Sequence, residues 1–503
     1  MVAQQGVTLN LILAIFTTCF GSSFVVGYNS AVINLPEDNI KKFLSKHITY
    51  FDASVLYAFV NSVLFASAAI AAFCCGYVAD TCGRKTSLMI NNIIGVVGAI
   101  VSFLCVTLDH PAPLYIGRAI SGVNCGLTIG IASMFLTEIA PRHLRGMIGA
   151  CNQLAITIGI VVGYLTTLNQ TLNTPTLWPV ALAVGGVPAA IAFIISFFFV
   201  ESPRWIYLVK KDEEGANAAF VRLNGNENAE MFLAEMREEA EFARSQTEFK
   251  FLELFRRRDL RMPVIIAVLI QVMQQLSGIN AVVTNSKQML KTAQVVEGLD
   301  FFVVGIGVLN VIATIAALPL LEKLGRRTLL LWPTLVLAIT LLLLIVFVNV
   351  ANRDDVINKT PYALTSVVLV FIYMAAFAIG LGPLPALIVA EIFRQEPRAS
   401  AYSLSLGIQW ACNLAVTSSF APLDQLLGGY VYLPFLVIVI VCWTVFLLFM
   451  PETKNRTFDE VARDLAFGTI VVGKRTAALQ APVFTKEDDG AAIALRDDDE
   501  VKA

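Results

Sequence analysis

The sequence predicts an all-α membrane protein with twelve transmembrane helices in two parallel six-helix repeats, joined by a polar helical linker. Three observations carry that prediction. Of 503 residues, 57% are hydrophobic and 15% charged, and mean hydropathy is +0.72, too apolar for a water-soluble globular chain. Twelve apolar stretches approach or exceed the roughly 20 residues a helix needs to cross hydrocarbon. Three motifs from the first half recur in order in the second, shifted by 242 to 253 residues.

The first six stretches lie near 9–33, 56–79, 87–107, 114–137, 147–169 and 177–200, and form an amino-terminal bundle over residues 1–200. No Lys or Arg precedes Lys41, so the first stretch is expected to remain as a span rather than serve as a cleaved signal. Residues 201–262 hold 11 Lys/Arg and 13 Asp/Glu without a continuous apolar run, which predicts an aqueous linker. Its 229–245 stretch reads as a helix, either solvated or covering one mouth of the bundle. Six further stretches, near 263–286, 300–321, 328–350, 362–390, 400–422 and 430–450, make a carboxy-terminal bundle over 263–450. The polar 451–503 tail is expected to be largely disordered after about residue 465.

Basic residues set the orientation. With both termini cytosolic, the inside regions hold 28 of the 36 Lys and Arg. The sequons at Asn169 and Asn358 then both fall outside, as candidate glycosylation sites. Eight of the nine cysteines fall in apolar spans and Cys82 in a short loop, so no disulfide framework is expected. The scattered His47, His110 and His143 suggest no metal site, no cofactor is implied, and the absence of GxxxxGK[ST] disfavours an ATP-driven pump.

The seventh stretch carries the most informative chemistry. Residues 262–287 read MPVIIAVLIQVMQQLSGINAVVTNSK, with Gln271, Gln274, Gln275, Asn280 and Asn285 inside an otherwise apolar span. An amide in hydrocarbon costs free energy unless it faces a partner. Such amides serve either as interhelical glue, at about 0.6–2 kcal/mol each, or as a site for a neutral, hydroxyl-rich solute, since each offers donors and an acceptor. On an ideal helix Gln275 and Asn280 lie about 140° apart, so a shared site requires a bend near Ser277-Gly278.

Charges collect at one membrane level in both halves: Asp80, Arg84, Glu138 and Arg145, then Glu322, Arg326, Glu391 and Arg398. Asp80 can accept from Arg84, and Gly83 permits the tight turn between them. Glu138-to-Arg145 and Glu391-to-Arg398 share a seven-residue spacing. The pattern is either positive-inside decoration or a cytosolic gate whose pairs bridge the halves when closed.

The ordered set GYVADTCGRK (76–85), GRAISG (117–122), VESPRW (200–205), QQLSGIN (274–280) and PETKNRTFDE (451–460) resembles the signatures of the facilitative hexose (glucose/fructose) transporters. These form part of the sugar porter branch of the major facilitator superfamily. The resemblance covers about 10–460 and implies the major facilitator fold, with alternating access to a central sugar site in a plasma-membrane protein. It places sugar contacts on Gln153, Gln274, Gln275, Asn280, Asn310, Trp410 and Asn413. The implied partners are a small-molecule sugar and the lipid bilayer, with no nucleic acid and no enzymatic step; oligomeric state is open.

Departures from the family pattern bear on the solute. Thr284-Asn285 stands where glucose carriers have a Tyr pair that helps close the outside, and Ala378, Leu381 and Ala386 replace Glu, Pro and Trp of the tenth span. Fructose carriers share a small residue at the 386 position. Gly380, Gly382, Pro383 and Pro385 predict a break in that span. Asn29 occupies a position where proton-coupled relatives have Asp, and Arg118 is the ionisable residue inside a span, read as a structural partner. Together these predict facilitated diffusion of a hexose. Carriage of dehydroascorbate, urate or a polyol stays open, as does a transporter-like sugar sensor signalling through its tail.

Overall fold

A computed structural model of the chain describes residues 8–465, except 142–143, 227–228, 246–250, 296–297, 354–355, 357, 394, 455, 457–459 and 462–463. The described residues are overwhelmingly helical, as a lipid-embedded chain must be to satisfy its own backbone. The crossings are α1 (Leu9–Ala31), α2 (Ala53–Cys82), α3 (Arg84–Thr107), α4 (Ala112–Ile139), α5 (Arg145–Thr166) and α6 (Trp178–Phe198). The second repeat holds α7 (Arg258–Thr292), α8 (Leu299–Lys323), α9 (Arg326–Ala351), α10 (Thr360–Ile392), α11 (Gln395–Leu427) and α12 (Leu433–Phe449).

Eleven segments among the described residues are apolar enough to cross on composition, and α11 is the crossing that escapes that criterion. At 33 residues it is roughly 50 Å long, ample for a bilayer. Its interior carries Ser403, Ser405, Gln409, Asn413, Thr417 and Ser418, the composition of a helix that faces protein and cavity rather than lipid.

Within each half, glycines let helices approach closely. Any side chain at Gly122 or Gly126 of α4 would collide with the Leu64 or Ala68 carbonyl of α2; at Gly27 of α1 it would meet the Ile156 carbonyl of α5. The halves meet along α2 with α11, where Ser62 Oγ and Ser418 Oγ lie 2.8 Å apart, and along α5 with α8, where Gly307 abuts the Tyr164 ring. The linker forms helices Pro203–Leu208, Glu213–Asn224 and Ala229–Ser245. The last docks on the others: Met236 is buried, Phe220 stacks on Phe232 at 4.4 Å, and Arg204 pairs with Glu239.

The repeat visible in sequence is also a repeat of contacts. At the linker-bearing end, the Glu201 carboxylate accepts from the backbone N–H of Lys85 (2.7 Å), Thr86 (3.3 Å) and Ser202 (2.9 Å), capping α3. Glu452 does the same for α9, accepting from the N–H groups of Arg326 (2.7 Å), Arg327 (3.3 Å), Thr453 (3.1 Å) and Lys454 (3.1 Å). A Cβ at Gly83 or Gly325 would strike these carboxylates; Gly83 needs positive φ as well (92°), whereas Gly325 does not. Glu452→Ala is therefore expected to cost about 1–3 kcal/mol, read as a lower melting temperature of the purified protein. Melting unchanged within error would show that the cap contributes nothing.

Candidate functional site

Two broken helices face each other at the centre of the second half. α7 leaves regular helix at Gln275–Ile279, where Gly278 adopts φ 97°, ψ 7°. This is the bend that the 140° separation of Gln275 and Asn280 requires, and it brings their side chains into hydrogen-bond contact, Asn280 Nδ2 donating to Gln275 Oε1. Gln275 Nε2 in turn donates to Gln274 Oε1 (3.2 Å). α10 breaks between Thr360–Ile379 and Leu384–Ile392, as its glycines and prolines predict. Pro385 has no N–H to give the Leu381 carbonyl. Gln274 Nε2 fills that deficit, donating to Leu381 O (2.8 Å) and Gly382 O (3.2 Å). One amide chain thus ties the two breaks together.

The other expected contacts lie on different helices. Trp410 of α11 is 3% exposed and packs across the halves on Phe65, ring centroids 6.4 Å apart, among Val26, Leu64, Ala68 and Cys125. Its indole Nε1 has no acceptor, and Asn413 Oδ1, one turn on, has no donor. Asn310 of α8 is buried, and Gln153 of α5 is half-buried. Of the seven expected contacts the structure joins Gln274, Gln275 and Asn280 directly. Ala386 lies exposed, and Ala378 and Leu381 are buried. Tyr373 is a contributor that sequence reading missed: its hydroxyl donates to the Ser277 carbonyl (3.0 Å) and holds the bend open. A tyrosine in an apolar stretch gives no sign that its hydroxyl serves a broken backbone.

At the linker-bearing end the charged residues pair within each half. Arg84 binds Asp80 (2.9 Å), as expected, and Glu138 (3.0 Å); Arg326 binds Glu391 (3.0 Å). Ser202 Oγ and Thr453 Oγ donate to Glu138 and Glu391 respectively, closing equivalent clusters in the two repeats. Pairs bridging the halves were expected at this end in its closed state; the pairs described here are internal, each fastening three consecutive chain segments of one bundle. Arg398, seven residues on from Glu391, donates to the Phe393 carbonyl (3.2 Å), while the side chains of Arg145 and Glu322 lie outside the described residues.

A set of bonds that bridge the halves lies at the opposite end. Asn285 departs from helical dihedrals (φ −132°, ψ 22°). Beside it, the Val283 carbonyl accepts from Asn34 Nδ2 (2.9 Å) and Tyr164 OH (2.7 Å), both in the first half. Asn34 Nδ2 also reaches Ser286 Oγ (2.7 Å), and its Oδ1 accepts from the Lys287 N–H (3.2 Å). Val283 and Lys287 are an i, i+4 pair whose groups a regular helix would bond to each other. Asn34 matches both at once. At this end a fully buried asparagine joins the two halves. Lys287 and Lys291 add ion pairs to Asp38, each 3.0 Å. Burial opposes ionisation of Asp38, but hydrogen bonds and charge from both lysines outweigh it and hold its carboxyl below the usual range. Both sequons lie in loops at this same end. Asn169 donates to Asp300 and accepts from Asn173 Nδ2 (2.7 Å); Asn358 is exposed.

Comparison with known proteins identifies the family. The sequence pattern of the family described as "Sugar (and other) transporter" matches residues 14–465. The facilitated glucose transporter member 4 of Mus musculus, solute carrier family 2, is 34% identical over 473 residues, 91% of either chain. Member 3 of Canis lupus familiaris is 35% identical over 468 residues, 91% of this chain and 93% of that one. Among solved structures, the inward-open xylose transporter XylE of E. coli superposes with a TM-score of 0.74 at 22% identity, over 90% of this chain and 99% of the other. The chain belongs to the sugar (and other) transporter family, and is an integral multi-pass carrier with the major facilitator fold.

Proposed function

We propose that the protein is a facilitative uniporter of a hexose, working by alternating access. The observation that carries this reading is the amide chain Asn280–Gln275–Gln274 across the breaks of α7 and α10, together with the unpartnered Trp410 Nε1 and Asn413 Oδ1 of α11. These are neutral donors and acceptors at the height where both helices bend. They suit ring hydroxyls, and the indole face suits the C–H surface of a sugar. The similar facilitated glucose transporters support the same class.

With the linker on the cytosolic side, the Asn34 and Asp38 contacts close the outside, so the described state is sealed outward. Binding would straighten or re-bend α7 and transmit to this seal through Asn280 and Thr284, whose hydroxyl donates to the Asn280 carbonyl (2.6 Å). Transport without protons is inferred from position 29. Arg118 binds the Asn29 backbone carbonyl (2.8 Å), and the side chain there is an amide that cannot take up a proton at neutral pH.

Counterflow into proteoliposomes, competed with a panel of hexoses, polyols and urate, tests the reading. Hexoses should compete best, with fructose included because Ala386 is small. Gln274→Ala and Asn280→Ala should raise KM at least tenfold with expression nearly intact. Normal KM in both variants would return the amides to a packing role, and substrate-evoked proton uptake would overturn uniport.

A further inference from the structure

Arg118 sits in the interior of the amino-terminal half with 0% exposure. Its Nη1 donates to the Asn29 carbonyl at 2.8 Å, while Nε and Nη2 have no acceptor. The titratable groups near enough to act on its charge are the Cys125 thiol and the Tyr57 phenol, both neutral at physiological pH. No carboxylate among the described residues pairs with it.

Register places a buried amide alongside, hydrogen-bonded to the Tyr57 hydroxyl. Gly122 of α4 lies against Leu64 of α2, and Gly126 against Ala68, so the two helices advance together. One turn earlier, Arg118 falls opposite Val60 and Asn61. Asn61 is 1% exposed and its Oδ1 has no donor. A guanidinium stays ionised in a protein, and a buried charge without a counter-charge costs several kcal/mol per ion. One carbonyl bond does not neutralise it.

We infer that Arg118 holds a small monovalent anion, of the size and charge of chloride, between α1, α2 and α4. Two free N–H groups on one planar fork supply the donors, and the ion supplies the charge that the protein lacks there. Asn29 of α1 and Tyr57 of α2 flank the guanidinium. The anion is structural: it fastens three helices of one bundle and takes no part in the sugar site, so its fate is independent of the transport reading.

Thermal melting of the full-length purified protein, without sugar, tests this. At matched ionic strength, replacing gluconate by chloride should raise the melting temperature saturably by about 3 °C or more. Asn29→Asp puts a carboxylate on the residue whose carbonyl Arg118 already binds, and should abolish the chloride response. Equal melting of the wild type in both anions would overturn the site, leaving Arg118 hydrated only. An undiminished chloride response in Asn29→Asp would do the same, by assigning the effect to the protein surface. If Asn29→Asp does not fold, bromide decides with the wild type: anomalous density beside Arg118 supports the site, and its absence rejects it.

Discussion

Gly278→Ala should reduce hexose counterflow by tenfold or more. At φ 97° a Cβ costs about 1–2 kcal/mol in backbone strain. The same atom would lie 3.0 Å from Phe435 Cδ2 and 3.3 Å from Cε2, forcing the ring to move at a further 1–3 kcal/mol or so. The helix can relieve both by straightening, but Gln275 and Asn280 then return to about 140° apart and their bond is lost. Since about 1.4 kcal/mol is a factor of ten in rate, either response is large. Melting curves separate loss of fold from loss of site. Adding Phe435→Leu should recover part of the stability by removing the collision, without restoring transport. Wild-type counterflow in Gly278→Ala would show that the bend is dispensable.

Asn34→Ala should move the resting protein toward an outward-open state. The substitution removes two donated bonds and one accepted bond, and leaves the buried Ser286 hydroxyl and Lys287 N–H without their partner. Unsatisfied buried groups cost about 1–3 kcal/mol. That cost falls on the sealed state alone, because opening exposes the same groups to water. A shift of this size changes the ratio of the two states roughly 5- to 150-fold. Spin labels at the exposed Lys42 and Gln425 positions, in a background where labelling is confined to them, should report a longer distance in the variant. An unchanged distribution would show that Tyr164 and the Asp38 ion pairs hold the seal without Asn34.

The two predictions rest on features of different legibility. The bend at Gly278 could be read before any coordinates: two amides at an angle that no straight helix allows, with a glycine between them. The break in α10 was legible for a similar reason, since Pro385 cannot donate and the preceding glycines can turn. The repeat was legible because Glu201 and Glu452, and Glu138 and Glu391, keep their order. What those carboxylates bind was not. Sequence spacing sets Glu138 beside Arg145, but the start of α3 brings Arg84 within 3.0 Å of Glu138, and only packing reveals that. Asn34 was silent for a related reason. Its partners are backbone atoms exposed by a kink at Asn285, and a kink without Gly or Pro leaves no mark in composition.

The amide chain at the two breaks also bears on how tightly a sugar can be held. A hydroxyl that takes the place of one of the bonds among Gln274, Gln275, Asn280 and the Leu381 carbonyl displaces a contact the protein already makes with itself, so that contact is an exchange worth about 0.5–1.5 kcal/mol at most. A handful of such exchanges amounts to affinity in the millimolar range. That weakness favours throughput: a solute that leaves readily frees the carrier for its next cycle, and a self-bonded empty site lets the unloaded protein return without stranding polar groups in the membrane.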